Sequence, residues 1–371
     1  MYLNLFEPPQ GCFYKPWLHF TGCYKMDLYE PFNRYKWKRH FNALKKDIIK
    51  GRIPNPRRAT IELTMRCNLS CQMCFRDQGQ KGELSLEEFK TAVDNLSPGI
   101  RQINLIGGEV FLRTDIFEIL DYLRDRDLRV RIQTNGTLLD TQRLQKLSTY
   151  WNVTGVGFSI DGPRELHNKI RGSKNAYGKT IAAIKNTSEF FPVSVNTVLL
   201  DENFTTIEEV FKTLSGLGIS EYRIEPEMFA TTEEVKGSEV KPIAANIKDG
   251  GRYGFSAGDL MELKKRLDTL AKEKGIKVVI APRVAEIDAG DFIAGTVREN
   301  KKLFCKHLLV PRVDSEGNLI FCHIIKKRFG NLRDTPLDEL WRRDEITDFR
   351  RTLLEQNLLP VCKRCCRLRT I

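Results

Sequence analysis

The stretch ATIELTMRCNLSCQMCF (59–75) decides the reading of this chain. Its first part, ATIELT (59–64), reads as a short β-strand. Directly after it, Cys67, Cys71 and Cys74 fall in a C-x3-C-x2-C spacing on the following loop. Iron–sulfur clusters are held by thiolates, and a 4Fe–4S cube usually takes four of them. Three thiolates from one short loop hold three irons and leave the fourth open. An open iron has no use in plain electron transfer, but it suits a small chelating ligand such as the amino and carboxylate groups of a methionine. The alternative is zinc, which in structural sites wants four closed N or S ligands. No fourth Cys or His lies near this loop.

Outward from that loop, short apolar runs alternate with amphipathic stretches, which predicts βα units and a parallel sheet. QINLIG (102–107), RVRIQT (129–134), TGVGFSI (154–160), PVSVNTVLL (192–200) and EYRIEP (221–226) continue the strand series. A helix is expected over 85–96, opened by Ser85 with Glu88 three residues on, the pattern of a capping box. Further helices are expected at 116–126 and near 140–149, 176–190 and 206–217. Six units are too few to close an eight-fold barrel, so the expected fold is α/β, an open partial (β/α)6 barrel over residues 57–230. Chemistry in such folds gathers at the C-terminal ends of the strands, where the cysteine loop sits. Residues 231–300 read as a linker or lid, with an aperiodic loop at 231–256, a helix at 257–274 and the strand KVVI (277–280). Residues 301–371 form a small C-terminal domain, and residues 1–56 an aromatic and basic extension with a helical pattern around 33–50.

Cys67, Cys71 and Cys74 after a first strand resemble the signature of the radical SAM superfamily. Other motifs stand at later strand ends in the matching order: IGGEV (106–110), TNGTLL (134–139) and SIDG (159–162). The stretch SIDGPRELHNKIRG (159–172) resembles the S-adenosylmethionine-binding segment of the subgroup with extra C-terminal clusters. The resemblance implies a 4Fe–4S cluster on the three cysteines that binds S-adenosylmethionine at its open iron. Reduction of the bound sulfonium would then yield a 5′-deoxyadenosyl radical, chemistry that belongs to the cofactor. Gly107 and Gly108 would let the backbone approach the ligand closely, and Glu109 would accept from the methionine ammonium. Ser159 and Arg171 would hold the carboxylate, and Asn196 would reach the ribose. Asn135 and Asp161 are further candidates for cofactor contact; for them and for His167, turn chemistry and helix capping are the alternative. The chain departs from the family at Met73, where an aromatic residue often precedes the third cysteine, and at Val110, where proline usually stands. Phe75 is the remaining candidate for packing on the adenine.

The second cysteine group begins with Cys305 and Cys322, continues with Cys362 and Cys365 in a C-x2-C, and ends with the adjacent Cys366. GNLIFC (317–322), GNLRDTPLDELW (330–341) and the C-x2-C resemble the SPASM/twitch extension of radical SAM enzymes. There are fewer cysteines than a full SPASM domain carries, so the resemblance implies one auxiliary 4Fe–4S cluster, the twitch pattern. Cys305, Cys322, Cys362 and Cys365 would saturate it, which suits an electron conduit. Cys366 is open to three readings: replacing Cys365, standing by, or donating hydrogen from its thiol. Zinc is the alternative here too, since C-x2-C half-sites suit it.

Composition narrows the rest. Ten cysteines in a chain of 371 residues without a secretory start favour metal or catalytic use over disulfides. No apolar run is long enough to span a membrane, and MYLNLFEPPQ lacks a signal-peptide pattern, so the cytoplasm is the expected location. Cys12 and Cys23 read as free thiols. The formal net charge of +12 sits at the ends: residues 1–58 hold 12 Lys and Arg against 4 Asp and Glu, and residues 341–371 hold 8 against 4. Basic ends suit an anionic substrate, or serve only as a solvated surface. Aromatics interleaved with bases near the N-terminus also suit single-stranded nucleic acid, the less favoured partner.

Along EYRIEP, Arg223 and Glu225 share the face opposite Tyr222 and Ile224. With Cys366 they are the catalytic candidates, an internal ion pair being the alternative. The leading functional reading is oxidation or epimerisation of a polar small molecule such as a sugar, aminoglycoside or nucleotide. An external donor such as flavodoxin or ferredoxin would supply electrons. The alternative is a maturase acting on a ribosomally made peptide. A third reading is a non-catalytic iron–sulfur protein that docks nucleic acid.

Overall fold

Alternation along each strand sorts the side chains of this molecule into an apolar face and a polar one. The computed structural model describes residues 42–75, 82–240, 242–282 and 288–370. It opens with helix α1 (42–49). Strands β1 (Arg58–Glu62), β2 (Gln102–Ile106), β3 (Arg129–Gln133), β4 (Val153–Ser159), β5 (Val193–Leu199) and β6 (Glu221–Pro226) then pair in parallel in that order. Helices α2 (Leu86–Asp94), α3 (Ile116–Asp125), α4 (Thr141–Ser148), α5 (Arg164–Arg171), α6 (Ala176–Thr187) and α7 (Ile207–Ser215) make the crossovers. All six expected strands are present, and the partial α/β barrel is the observed fold. Ile61, Ile103, Leu105, Val130, Ile132, Val156, Phe158, Val195 and Ile224 are buried in one core with the helices.

The other face of the sheet is polar. In-register neighbours share a face, so Thr60, Asn104 and Arg131 form one row across β1–β3. Ser194 and Glu221 pair in a second row, and Ser159, Asn196 and Arg223 form a third across β4–β6. Branched aliphatic side chains usually fill this position in a closed barrel. Here the concave face is hydrophilic and largely half-buried.

Two parts of the sequence reading are corrected. Residues 231–256, read as aperiodic, contain real elements: after β7 (Phe229–Ala230) come α8 (Thr232–Lys236) and β8 (Asn246–Ile247), and β8 pairs with β7. Thr231 and Glu234 form a capping box at the start of α8, a signal the sequence already carried. The long helix α9 (Ala257–Lys274) and β9 (Lys277–Ile280) follow, and β9 extends the main sheet in parallel beside β6. The stretch 159–172, read only as a binding segment, contains α5, which stops at Gly172 with φ +64.

The C-terminal part begins with α10 (Ala289–Ala294), α11 (Val297–Asn300) and β10 (Leu303–Cys305). Strands β11 (Arg312–Val313), β12 (Asn318–Ile320) and β13 (Arg328–Asn331) come next, then α12 (Leu337–Leu340), α13 (Asp344–Glu355) and β14 (Leu368–Thr370). β11 pairs in parallel with β1, and β12 and β13 add antiparallel to it. The main sheet therefore has ten strands among the described residues, ordered β13-β12-β11-β1-β2-β3-β4-β5-β6-β9. β10 and β14 form a separate pair that sets Cys305 opposite Leu368. No described helix is long and apolar enough to cross a membrane. Cys12, Cys23 and the aromatic run around them lie outside the described residues.

Candidate active site

The loop after β1 is gripped from two sides. On one side the N–H of Gly108 donates to Thr64 O at 2.7 Å and that of Glu109 to Arg66 O at 2.8 Å. A Cβ on Gly107 would stand 2.5 Å from Thr64 O, and one on Gly108 would overlap Arg66 O. The two glycines therefore make room for the cysteine loop itself. On the other side, Ser70 N–H donates to Arg171 O at 3.3 Å and Gln72 N–H to Ile170 O at 3.0 Å, at the end of α5. Two motifs far apart in sequence thus hold one loop.

Glu109 is fully buried. Its Oε1 accepts from the Thr134 hydroxyl at 2.7 Å and from Phe111 N–H at 3.2 Å, and its Oε2 from Asn135 N–H at 2.7 Å. Burial nonetheless raises its carboxyl, these donors pulling the other way. With both oxygens engaged, Glu109 ties the end of β2 to the end of β3. Asn135 bridges onward: its Nδ2 donates to Asn68 Oδ1 at 2.9 Å and stands 3.9 Å from Cys67 Sγ.

Asp161 and Arg171 meet across α5. The Nε of Arg171 donates to Asp161 Oδ2 at 2.5 Å, and its Nη1 lies 3.5 Å from Cys71 Sγ. Asp161 is 0% exposed, and its Oδ1 accepts from Val198 N–H at 2.9 Å. Burial would lower the Arg171 guanidinium, but Asp161 and Cys71 outweigh it and raise it. Burial likewise pushes the Cys71 thiol up, against the pull of Arg171. Ser159 and Asn196 stand side by side on β4 and β5, and Asn196 Nδ2 donates to Gln133 Oε1 at 3.3 Å. Met73 is buried against Ile170 and Leu200.

Phe75 turns toward the C-terminal domain. Its ring centroid is 5.7 Å from that of His323, which follows Cys322. This contact links the two cysteine groups. Cys305, Cys322, Cys362, Cys365 and Cys366 are all buried and free. Burial is the main force raising Cys305, Cys322 and Cys362, the last to about 12. Cys365 and Cys366 hydrogen-bond to each other; Cys365 also lies within electrostatic reach of Cys305 and Cys362, and Cys366 within reach of Glu225 and Arg367. Glu225 pairs loosely with Arg367 at 3.8 Å, and Arg223 with Glu221 at 2.5 Å.

The donor sets suit iron–sulfur clusters. Three unlinked thiols on one loop have guanidinium and amide N–H groups turned toward two of them. Four more thiols converge in the C-terminal part. Among the described residues no three Cys, His, Asp or Glu groups close around a single metal ion; a four-iron cube spreads its thiolates wider. His307 and His323 were missed in the sequence, where neither belongs to a motif. Their one signal is position, next to Cys305 and Cys322.

Residues 61–214 match the Radical SAM superfamily, and residues 310–366 match an iron-sulfur cluster-binding domain of the SPASM type. The chain belongs to the radical SAM superfamily and carries a C-terminal SPASM-type domain. It is thereby an enzyme that binds S-adenosylmethionine at a 4Fe–4S cluster and holds an auxiliary iron–sulfur cluster. Over 324 residues it is 29% identical to an AdoMet-dependent heme synthase of Methanosarcina barkeri, spanning 84% of this chain and 88% of that protein. Over 170 residues it is 35% identical to the antilisterial bacteriocin subtilosin biosynthesis protein AlbA of Bacillus subtilis, 44% of this chain and 38% of that one. In fold it resembles SuiB of Streptococcus suis, with a TM-score of 0.64 and 14% identity over 92% of this chain and 79% of that one.

Proposed function

We propose that this enzyme modifies a ribosomally made peptide by abstracting hydrogen from it. The observation that carries the reading is the polar concave face described above, from Thr60 and Asn104 across to Asn196 and Arg223. A peptide in extended form meets such a face with its own N–H and C=O groups. A flat tetrapyrrole needs apolar walls, which this face lacks, although the broad likeness to a haem synthase favours that class as the second reading. The relatives named for a bacteriocin and for haem support either of these over the sugar, aminoglycoside or nucleotide first expected.

Cys67, Cys71 and Cys74 would hold the first cluster, with Asn135 and Arg171 as donors to its sulfurs. When bound, it and S-adenosylmethionine supply hydrogen abstraction, chemistry of the cofactor. Ser159, Asp161 with Arg171, and Asn196 would orient S-adenosylmethionine, and Gly107, Gly108 and Glu109 would fix the loop beneath it. Cys305, Cys322, Cys362 and Cys365 would hold the auxiliary cluster, leaving Cys366 free on the side of Glu225. Reduced cysteines in this number suit the cytoplasm, with an external protein as electron donor.

The test offers reconstituted enzyme, S-adenosylmethionine and reductant two substrates in separate vessels. One holds short blocked peptides with deuterated side chains, the other a carboxylate-bearing iron porphyrin. Deuterium reaching 5′-deoxyadenosine from the peptides is the expected result. Loss of mass from the porphyrin with no transfer from the peptides would replace this reading with the second.

A further inference from the structure

Native proteins leave few buried polar atoms without a partner, and those few call for an explanation. Of the nine such side-chain atoms among the described residues, four belong to Glu62, Glu225, His307 and His323. These four residues form one connected group between the two cysteine clusters. Arg312 pairs with Glu62 at 2.7 Å and lies within electrostatic reach of both imidazoles. Arg367 reaches both imidazoles as well and pairs with Glu225 at 3.8 Å. The rings of His307 and His323 stand 5.7 Å apart at 67°, and His323 contacts Phe75.

The four are not equally short of partners. Glu62 Oε2 has Lys326 at 3.5 Å, an ion pair that covers much of its need. Nε2 of His307 and Nε2 of His323 have none, and Glu225 Oε1 has only the distant Arg367. A neutral imidazole nitrogen either donates or accepts, whereas a carboxylate only accepts. The ligand that completes this set presents both N–H and C=O groups.

We propose that His307, His323 and Glu225 hold the backbone of the substrate peptide by hydrogen bonds, between the first cluster and the auxiliary one. The proposal rests on the peptide reading above and names the residues that bind it. Glu225 takes an N–H from one peptide unit, and the two imidazoles meet the C=O and N–H groups beside it. The reacting carbon then lies near Phe75 and the loop that bears Cys74.

The probe is the same mixture of blocked, deuterated short peptides, applied to reconstituted holoenzyme. The first readout is carbethoxylation of the imidazoles by diethyl pyrocarbonate, mapped by mass spectrometry without reductant or turnover. Peptide is expected to protect His307 and His323. The second is the peptide dependence of deuterium transfer, compared at equal iron content. His323→Ala raises the half-saturating concentration about tenfold, the value of one hydrogen bond to a buried group, and lowers the maximal rate less. His323→Gln, which returns a polar atom near the lost Nε2, recovers most of that loss. Unprotected imidazoles, or an unchanged half-saturating concentration in His323→Ala, mean that water fills the gap and overturn the proposal alone. Absence of transfer from any peptide to the wild type overturns both the proposal and the reading it rests on.

Discussion

His167 is 1% exposed, and its Nδ1 accepts the N–H of Asp161 at 3.1 Å. Burial lowers its pKa from 6.5 to about 4. The folded chain therefore refuses a proton that the unfolded chain takes up, so stability is lost as pH falls from 6.5 toward 4. The slope is about 1.4 kcal/mol per pH unit within that window. His167→Asn, which keeps an acceptor for Asp161 but does not titrate, is expected to flatten it in anaerobic urea unfolding. An unchanged slope would assign the pH dependence to other groups. The neighbouring pair predicts a larger effect. Asp161→Ala leaves the buried Arg171 guanidinium without its carboxylate, and breaking such a pair costs about 3–5 kcal/mol. The same urea midpoint reads it, and a loss under 1 kcal/mol would mean that Arg171 finds a new partner. The sequence singled out Asp161, His167 and Arg171, because they share one short motif. That they contact one another was not readable, since ten residues separate Asp161 from Arg171 and only the intervening α5 brings the second back over the first.

The six strands were legible because each alternates apolar and polar residues, and that pattern is local. Loops and edges are different. The pairing of β11 with β1 joins residues roughly 250 apart in sequence, and no local pattern encodes it. The glycines after β2 were legible as a motif, but their packing was not. In the folded chain they lie against the backbone of Thr64 and Arg66, so the element they serve is the cysteine loop. This makes a prediction specific to one cluster. Gly108→Ala forces the loop away from β2 while leaving the C-terminal cysteines untouched. After anaerobic reconstitution it is expected to hold about four irons per chain where the wild type holds about eight, two cubes of the kind these thiols suit. Full iron content with normal spectra would show that the loop shifts without losing its ligands.

The C-terminal domain is joined to the barrel by more than the polypeptide. β11 adds to the edge of β1, and the Leu337 N–H donates to Asn95 O at 2.7 Å beyond the end of α2. Trp341 Nε1 donates to Pro54 O at 3.2 Å and Arg351 Nε to Ile49 O at 3.1 Å, on the chain that leads into β1. These bonds fix the domain against the β1 edge of the sheet and the end of α2. Five of its thiols are buried, and burial holds each of Cys305, Cys322 and Cys362 above its usual range. Metal removal is therefore expected to act locally before it acts globally. Cys362→Ala should lose the auxiliary cluster and retain about four irons per chain, because the loop that bears Cys67, Cys71 and Cys74 is gripped by Gly108 and α5. Hydrogen exchange in this variant is expected to rise in β10, β14 and the turn around Cys362, where the cluster is the common anchor. β11 and α12 should stay protected, since their bonds run to β1 and α2. Exchange spreading into β1 and β2 would instead mean that the auxiliary cluster supports the whole sheet, and that both clusters stand or fall together.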